Sequence, residues 1–152
     1  MADSIRERII KAVLAPLGAI TTANGYSTDM GLRVHRGRMG FAKLDELPAI
    51  SVFPRVETAE ETTYGSTAHT MAVDVYGVAV CQPSEASVSS ERILADLRLA
   101  MGAAGDLGGL ASRVAYTGGG VEEYPDVTGQ AVTVTASFEI HYETRRGDPY
   151  NQ

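Results

Sequence analysis

The side chains able to do chemistry are few and scattered. His35, His69 and His141 and the single cysteine, Cys81, lie in four separate segments. No two of them stand at the short spacing that zinc ligands need. His141 falls on the polar side of an alternating segment, and Cys81 reads as a small core residue. Carboxylates gather twice, in Glu57 to Glu61 and in Glu122-Glu123 with Asp126. Neither cluster has the alternating oxygen ligands and central glycine of a calcium loop, so both are expected as solvated loop surface. Gly102, Gly105 and Gly108 have a suggestive spacing, but they follow a helix where a dinucleotide site needs a strand before and a helix after. Neither lysine follows a phosphate-binding glycine loop, and no serine sits in a G-x-S-x-G elbow. The expected sets of catalytic, cofactor-binding and metal-binding residues are empty, and the chain is expected not to be an enzyme.

The cations point elsewhere. Lys11 and Lys43 are the only lysines among 13 basic side chains, and the rest are arginines, which suit planar, partly desolvated protein contacts. Arg33, Arg36 and Arg38 form one group and Arg145 with Arg146 another. A net charge of -6 argues against a sequence-specific nucleic-acid binder. The first arginine group is therefore expected to meet a protein, and the Arg146-Gly147-Asp148 triplet reads as coincidence or as part of an arm that orders on a neighbour.

The elements that would position these groups are legible from spacing. Ser4 and Glu7 make a capping box ahead of a helix with an apolar stripe at Ile5, Ile9, Val13 and Leu17; Pro16 should kink it or end it a turn early. Arg33 to Arg38 reads as a strand entering a loop, and Ala49 to Phe53 as a five-residue strand between Pro48 and Pro54. Thr70 to Cys81 is a long strand whose far half is apolar on both faces, through Tyr76, Val78 and Val80. Ser84 to Met101 is a second helix, capped by Ser84 or Ser87. Arg113 to Thr117 is a brief strand broken by Gly118-Gly119-Gly120, and Ala131 to Tyr142 alternates strictly between apolar and polar residues. The order implies an α+β, two-layer fold: a mainly antiparallel sheet with two helices on one face. It forms a single domain, 1–144, followed by a flexible arm, 145–152. At 152 residues the chain supports one core, and neither a signal peptide nor a membrane span is expected.

The order of several weak motifs resembles a known family. Ile5 to Ile10, Ala19 to Asp29, Val34 to Arg38, Glu46 to Val52, Leu107 to Ala111, Tyr116 to Gly118 and Arg145 to Pro149 together look like the tail terminator, or tail-completion, proteins of long-tailed bacteriophages. The resemblance implies a structural virion protein, acting without a cofactor, that forms a ring of six on the last ring of the tail tube. It implies tail tube protein and a head-completion or connector protein as partners. Its place would be the head-proximal end of the tail, after assembly in the host cytoplasm. A neck or head-completion role is the alternative, and a small ligand-binding domain or enzyme a more distant one. The expected contact residues are Arg33, Arg36, Arg38, Tyr76, Val78, Val80, Arg145 and Arg146.

Overall fold

The computed structural model describes residues 2–38, 40, 44–125 and 129–152. Its first helix, α1 (Ile5–Gly18), starts where the capping box places it, with the Ser4 hydroxyl accepting from the Glu7 amide at 3.1 Å. The reciprocal half of the box is not made, because the Glu7 carboxylate takes a bidentate contact from Arg36 at 2.6 and 2.8 Å. The stripe of Ile5, Ile9, Ile10, Val13 and Leu17 is buried. Pro16 lies in the last turn and the helix runs past it to Gly18, so it does not end a turn early.

Five strands follow: β1 (Val34–Arg36), β2 (Ala49–Glu61), β3 (Ser66–Val80), β4 (Arg113–Glu123) and β5 (Ala131–Arg145), with α2 (Ala86–Ala103) between β3 and β4. Their order in the sheet is β1-β2-β3-β5-β4, and every pairing is antiparallel except the short one of β1 with β2. This is the two-layer α+β arrangement implied by the element order. Both helices cover one face. That face carries Ile50 and Val52 of β2, Met71, Val73 and Val75 of β3, and Val132 to Ile140 at alternate positions of β5, all buried against Ile93, Leu97 and Met101 of α2 and the stripe of α1. Gly77 sits where the helix layer comes closest: a Cβ there would lie 2.6 Å from Ile93 Cγ2 and 2.9 Å from Met30 Sδ.

Four expectations need correction. The second strand does not stop at Pro54; it continues to Glu61 after a register shift between Pro54 and Glu57, so Glu57 to Glu61 are strand residues, not loop. Pro54 is tolerated because β1 pairs only with Ile50 to Val52, which leaves the outer edge of β2 free where an amide is missing. The glycines 118 to 120 do not break β4; it runs to Glu123 with two register shifts. There a Cβ on Gly119 would meet the Thr135 carbonyl at 2.4 Å, so glycine is what lets the strands close. Neither Ser84 nor Ser87 caps α2, whose N-cap is Glu85 after a short 3₁₀ turn. Finally, residues 145–152 are not a detached arm. Arg145 ends β5, its amide donates to the Asn151 carbonyl at 2.9 Å, and the Pro149 carbonyl accepts from the Ile5 amide at 2.8 Å. Asp148 closes that turn by accepting from the Tyr150 amide and the Asn151 side chain.

The loop after α1 is fixed to α2 by one buried carboxylate. Asp96 accepts from the Ser27 amide at 3.1 Å, the Thr28 amide at 2.8 Å and the Thr28 hydroxyl at 2.7 Å. Asp96→Ala leaves those donors without a partner and should cost about 2–3 kcal/mol. Urea unfolding measures it, and a loss under about 0.5 kcal/mol, the range of ordinary surface changes, would remove Asp96 from this role.

Candidate functional site

A polar cluster lies at the open end of the β2-β3-β5 ladder. After the register shift, Glu57 stands opposite Met71 on the helix-covered side. His69 pairs with Tyr142 and Thr67 with Thr144, and these register positions converge. Glu57 Oε2 lies 3.1 Å from His69 Nδ1, and His69 Nε2 lies 3.0 Å from the Thr144 hydroxyl. Tyr142 donates a short hydrogen bond to Glu57 Oε1, and Arg6 of α1 donates to the same oxygen at 3.0 Å. The His69 and Tyr142 rings stack at 4.6 Å. A hollow of about 380 Å³ opens above them, bordered by Ser4 and Arg6 on one side and Gly147 to Pro149 on the other.

The connectivity hydroxyl–imidazole–carboxylate has the order of a nucleophile, a base and its orienting acid. Its surroundings argue for a structural role. Thr144 is only 5% exposed, and its hydroxyl is held by the imidazole of His69 at 3.0 Å. The carboxylate is committed to three partners on three elements, Arg6 of α1, His69 of β3 and Tyr142 of β5. Burial raises the Glu57 pKa, but the hydrogen bonds from Tyr142 and Arg6 and the nearby His69 and Arg6 charges outweigh it and hold the group below its ordinary value. Burial, reinforced by the Glu57 carboxylate, pushes the Tyr142 phenol well above its ordinary value, so it stays a donor. The cluster is a clasp: it joins the first turn of α1 to three strand ends. Of Glu57, Glu60 and Glu122 in the two acidic clusters, only Glu57 borders this hollow. Glu60 and Glu122 are exposed on strands elsewhere, and Asp126 lies outside the described residues. Among the described residues, no three His, Cys, Asp or Glu side chains gather as a metal site, and no helix is long and apolar enough to cross a membrane.

The arginines expected at contacts are largely engaged within the chain. Arg36 holds Glu7 and Arg38 holds Glu46 at 2.7 Å. Arg33 is exposed, with one long contact to the Pro48 carbonyl. Arg145 ends β5, and Arg146 grips the β2–β3 turn through the Thr62 and Gly65 carbonyls and Glu61. Tyr76, Val78 and Val80 lie on the face of β3 away from the helices, Tyr76 against Phe53 at 5.3 Å and Val80 half open to solvent. In the single chain that end of the strand is thus covered by the helix layer on one side only.

Two further surfaces were not anticipated. Outward-facing Val88, Ala95 and Leu99 of α2 follow one another at spacings of seven and four, a second apolar stripe opposite the buried one. It borders a groove of about 420 Å³ between α2 and β4, floored by Met101, Val114 and Phe138, where the Arg98 guanidinium lies 4.2 Å over the Tyr116 ring. The other surface is the β2–β3 turn, which presents Tyr64 at 94% exposure. The heptad-like spacing of 88, 95 and 99 was readable in advance. Tyr64 gave no signal, because one aromatic in a turn has no period. No family model matches the chain, and no curated protein matches it.

The clasp has an acid-side signature. Because the Glu57 pKa is lowered on folding, its ionised contacts add stability above the unfolded carboxylate range and lose it as pH falls through the folded value. Glu57→Gln should therefore cost about 1–3 kcal/mol near pH 7. The gap to wild type should shrink once pH drops below about 4. Urea midpoints at the two conditions read this out; an equal gap at both would mean that ionisation of Glu57 plays no part.

Proposed function

We propose that this chain is a ring-forming structural subunit, a tail terminator of a long-tailed bacteriophage that caps the tail tube, ends its polymerisation and offers the surface for head joining. The observation that carries the reading is the contrast between its polar and apolar groups. The titratable cluster is closed on itself as a clasp, while large apolar side chains are left in solvent on two unlike surfaces, the α2–β4 groove and the β2–β3 turn. Exposed apolar surface beside a groove marks protein contact. Two different surfaces on one chain are what head-to-tail association into a closed ring requires, whereas a two-fold dimer needs only one.

The family resemblance supplies the rest of the proposal: a ring of six, the tube protein on one side and a head-completion or connector protein on the other, at the head-proximal end of the virion tail. The observed two-layer α+β fold agrees with the fold that the resemblance implies. No catalytic step or cofactor enters the reading. Contacts are carried by Leu99, Tyr116 and Tyr64 more than by Arg36 and Arg38, whose partners lie within the chain.

The purified protein should have the mass of a closed ring, or acquire it on contact with tube ends, when weighed by light scattering or native mass spectrometry. Tails assembled without it should be overlong in electron micrographs. Binding to connector rings but not to tubes would move the chain to the neck. A strict monomer that leaves tube length unchanged would end the proposal.

A further inference from the structure

The turn joining β2 and β3 fixes the backbone that carries its tyrosine. The Thr62 amide donates to the Ser66 carbonyl at 2.9 Å, and the Thr62 hydroxyl meets the Ser66 hydroxyl at 2.6 Å. That same hydroxyl accepts from the Tyr64 and Ser66 amides. Gly65 takes the left-handed conformation, φ +77°, that closes the turn. A second segment braces it from outside: the Arg146 amide donates to the Gly65 carbonyl at 3.0 Å, and the Arg146 guanidinium donates to the Thr62 carbonyl at 2.9 Å and pairs with Glu61 at 3.4 Å. All this order surrounds a side chain that touches almost nothing of its own chain. A rigid aromatic on a fixed backbone loses little entropy when it docks, which is the make-up of an interface anchor.

The α2–β4 groove has the complementary chemistry. Its floor is apolar, and Ala95 and Gly102 on its α2 side leave room for an incoming ring. Arg98 already covers Tyr116 with one face of its guanidinium, so its other face can take a second ring and its N–H groups a phenol oxygen. Arg92, three residues before Ala95, extends the cationic side of the same helix surface. Among the described residues, neither Arg92 nor Arg98 pairs with a carboxylate. The turn supplies the opposite sign through Glu60, exposed just before Tyr64 and in no ion pair among the described residues, whereas Glu61 is held by Arg146.

We infer that the β2–β3 turn of one copy seats Tyr64 in the α2–β4 groove of the next, with Glu60 facing Arg92 and Arg98. Turn and groove are different surfaces, so the contact runs head to tail and repeats until the ring closes. The inference rests on the ring reading above and names the lateral contact of that ring.

The test uses the full chain. In a Cys81→Ser background, Thr63→Cys at the turn and Ala103→Cys beside the groove are joined with a short bis-maleimide. The expected product is a covalent ladder rising to the ring, with neither single-cysteine variant passing the dimer. Independently, Glu60→Arg and Arg98→Glu should each raise the protein concentration needed for assembly at least about tenfold, and the two together should restore it. Tyr64→Ala should weaken assembly by a similar factor, with circular dichroism unchanged. A wild-type ring that yields no ladder and ignores the charge swap overturns this contact while leaving the ring reading intact. A ladder that stops at the dimer overturns the head-to-tail arrangement. A wild-type chain that stays monomeric with and without tubes overturns both.

Discussion

Everything else in the fold hangs on the ladder between β3 and β5. It pairs fifteen residues of each strand without a register shift, from Ser66 opposite Arg145 to Val80 opposite Ala131. Because side chains alternate, that single register decides which residues meet the helices and which do not; a slip of one would send Met71, Val73, Phe138 and Ile140 into solvent. The cost of such a slip is the burial of a whole face, so the register is strongly specified. The flanking strands are less regular. Both β2 and β4 carry register shifts against this central pair, and in β2 the shift is what turns Glu57 inward to His69 and Tyr142. The clasp is thus a consequence of a straight central ladder meeting a bulged neighbour.

The same irregularities guard the edges of the sheet. A sheet with bare edges risks unlimited edge-to-edge pairing, and bulges, prolines and charges are the usual defence. The outer half of β2 has all three, in Pro54, the register shift after it and the carboxylates of Glu60 and Glu61. At the other edge, β4 has two register shifts and a run of glycines, and ends in Glu122 and Glu123. Extension of the sheet from copy to copy is therefore disfavoured at both ends. In the proposed ring, specific association is left to side chains, which is where the exposed apolar residues of α2, β4 and the β2–β3 turn stand.

The elements most visible in the sequence were those whose burial is one-sided and uninterrupted. The alternation from Val132 to Tyr142 and the stripe of α1 each state their buried face directly, and both faces are buried as read, although Thr135 on the polar side of β5 is buried as well. What stayed hidden had a long-range cause. The second half of β2 reads as an acidic loop because its exposed residues are mostly polar and Glu57, which turns inward, is satisfied by partners 12, 51 and 85 positions away. The persistence of β4 through Gly118 to Gly120 depends on the Thr135 carbonyl pressing close to Gly119, a contact that no local propensity encodes. The polar last residues read as an arm because polar tails usually are, yet their bonds run to backbone groups of α1 and the β2–β3 turn, which carry no sequence signal. The clasp could have been found by writing β3 against β5 in antiparallel register, which sets His69 opposite Tyr142 and Thr67 opposite Thr144.

That polar ending has a part in the assembly reading as well. Each copy carries a net charge of -6, so bringing copies side by side works against repulsion that is only partly screened at physiological ionic strength. Diffuse charge cannot overcome this, but a local pairing of opposite signs beside an apolar anchor can orient the encounter while the buried ring supplies the affinity. Arg146 matters because it holds the anchor in place before contact is made. Its bonds to the Thr62 and Gly65 carbonyls fix the turn from the far end of the chain, so the order needed for docking is already present in the free subunit. On this reading the last residues serve the neighbour indirectly: they do not reach across to it, but they stiffen the part of their own chain that does.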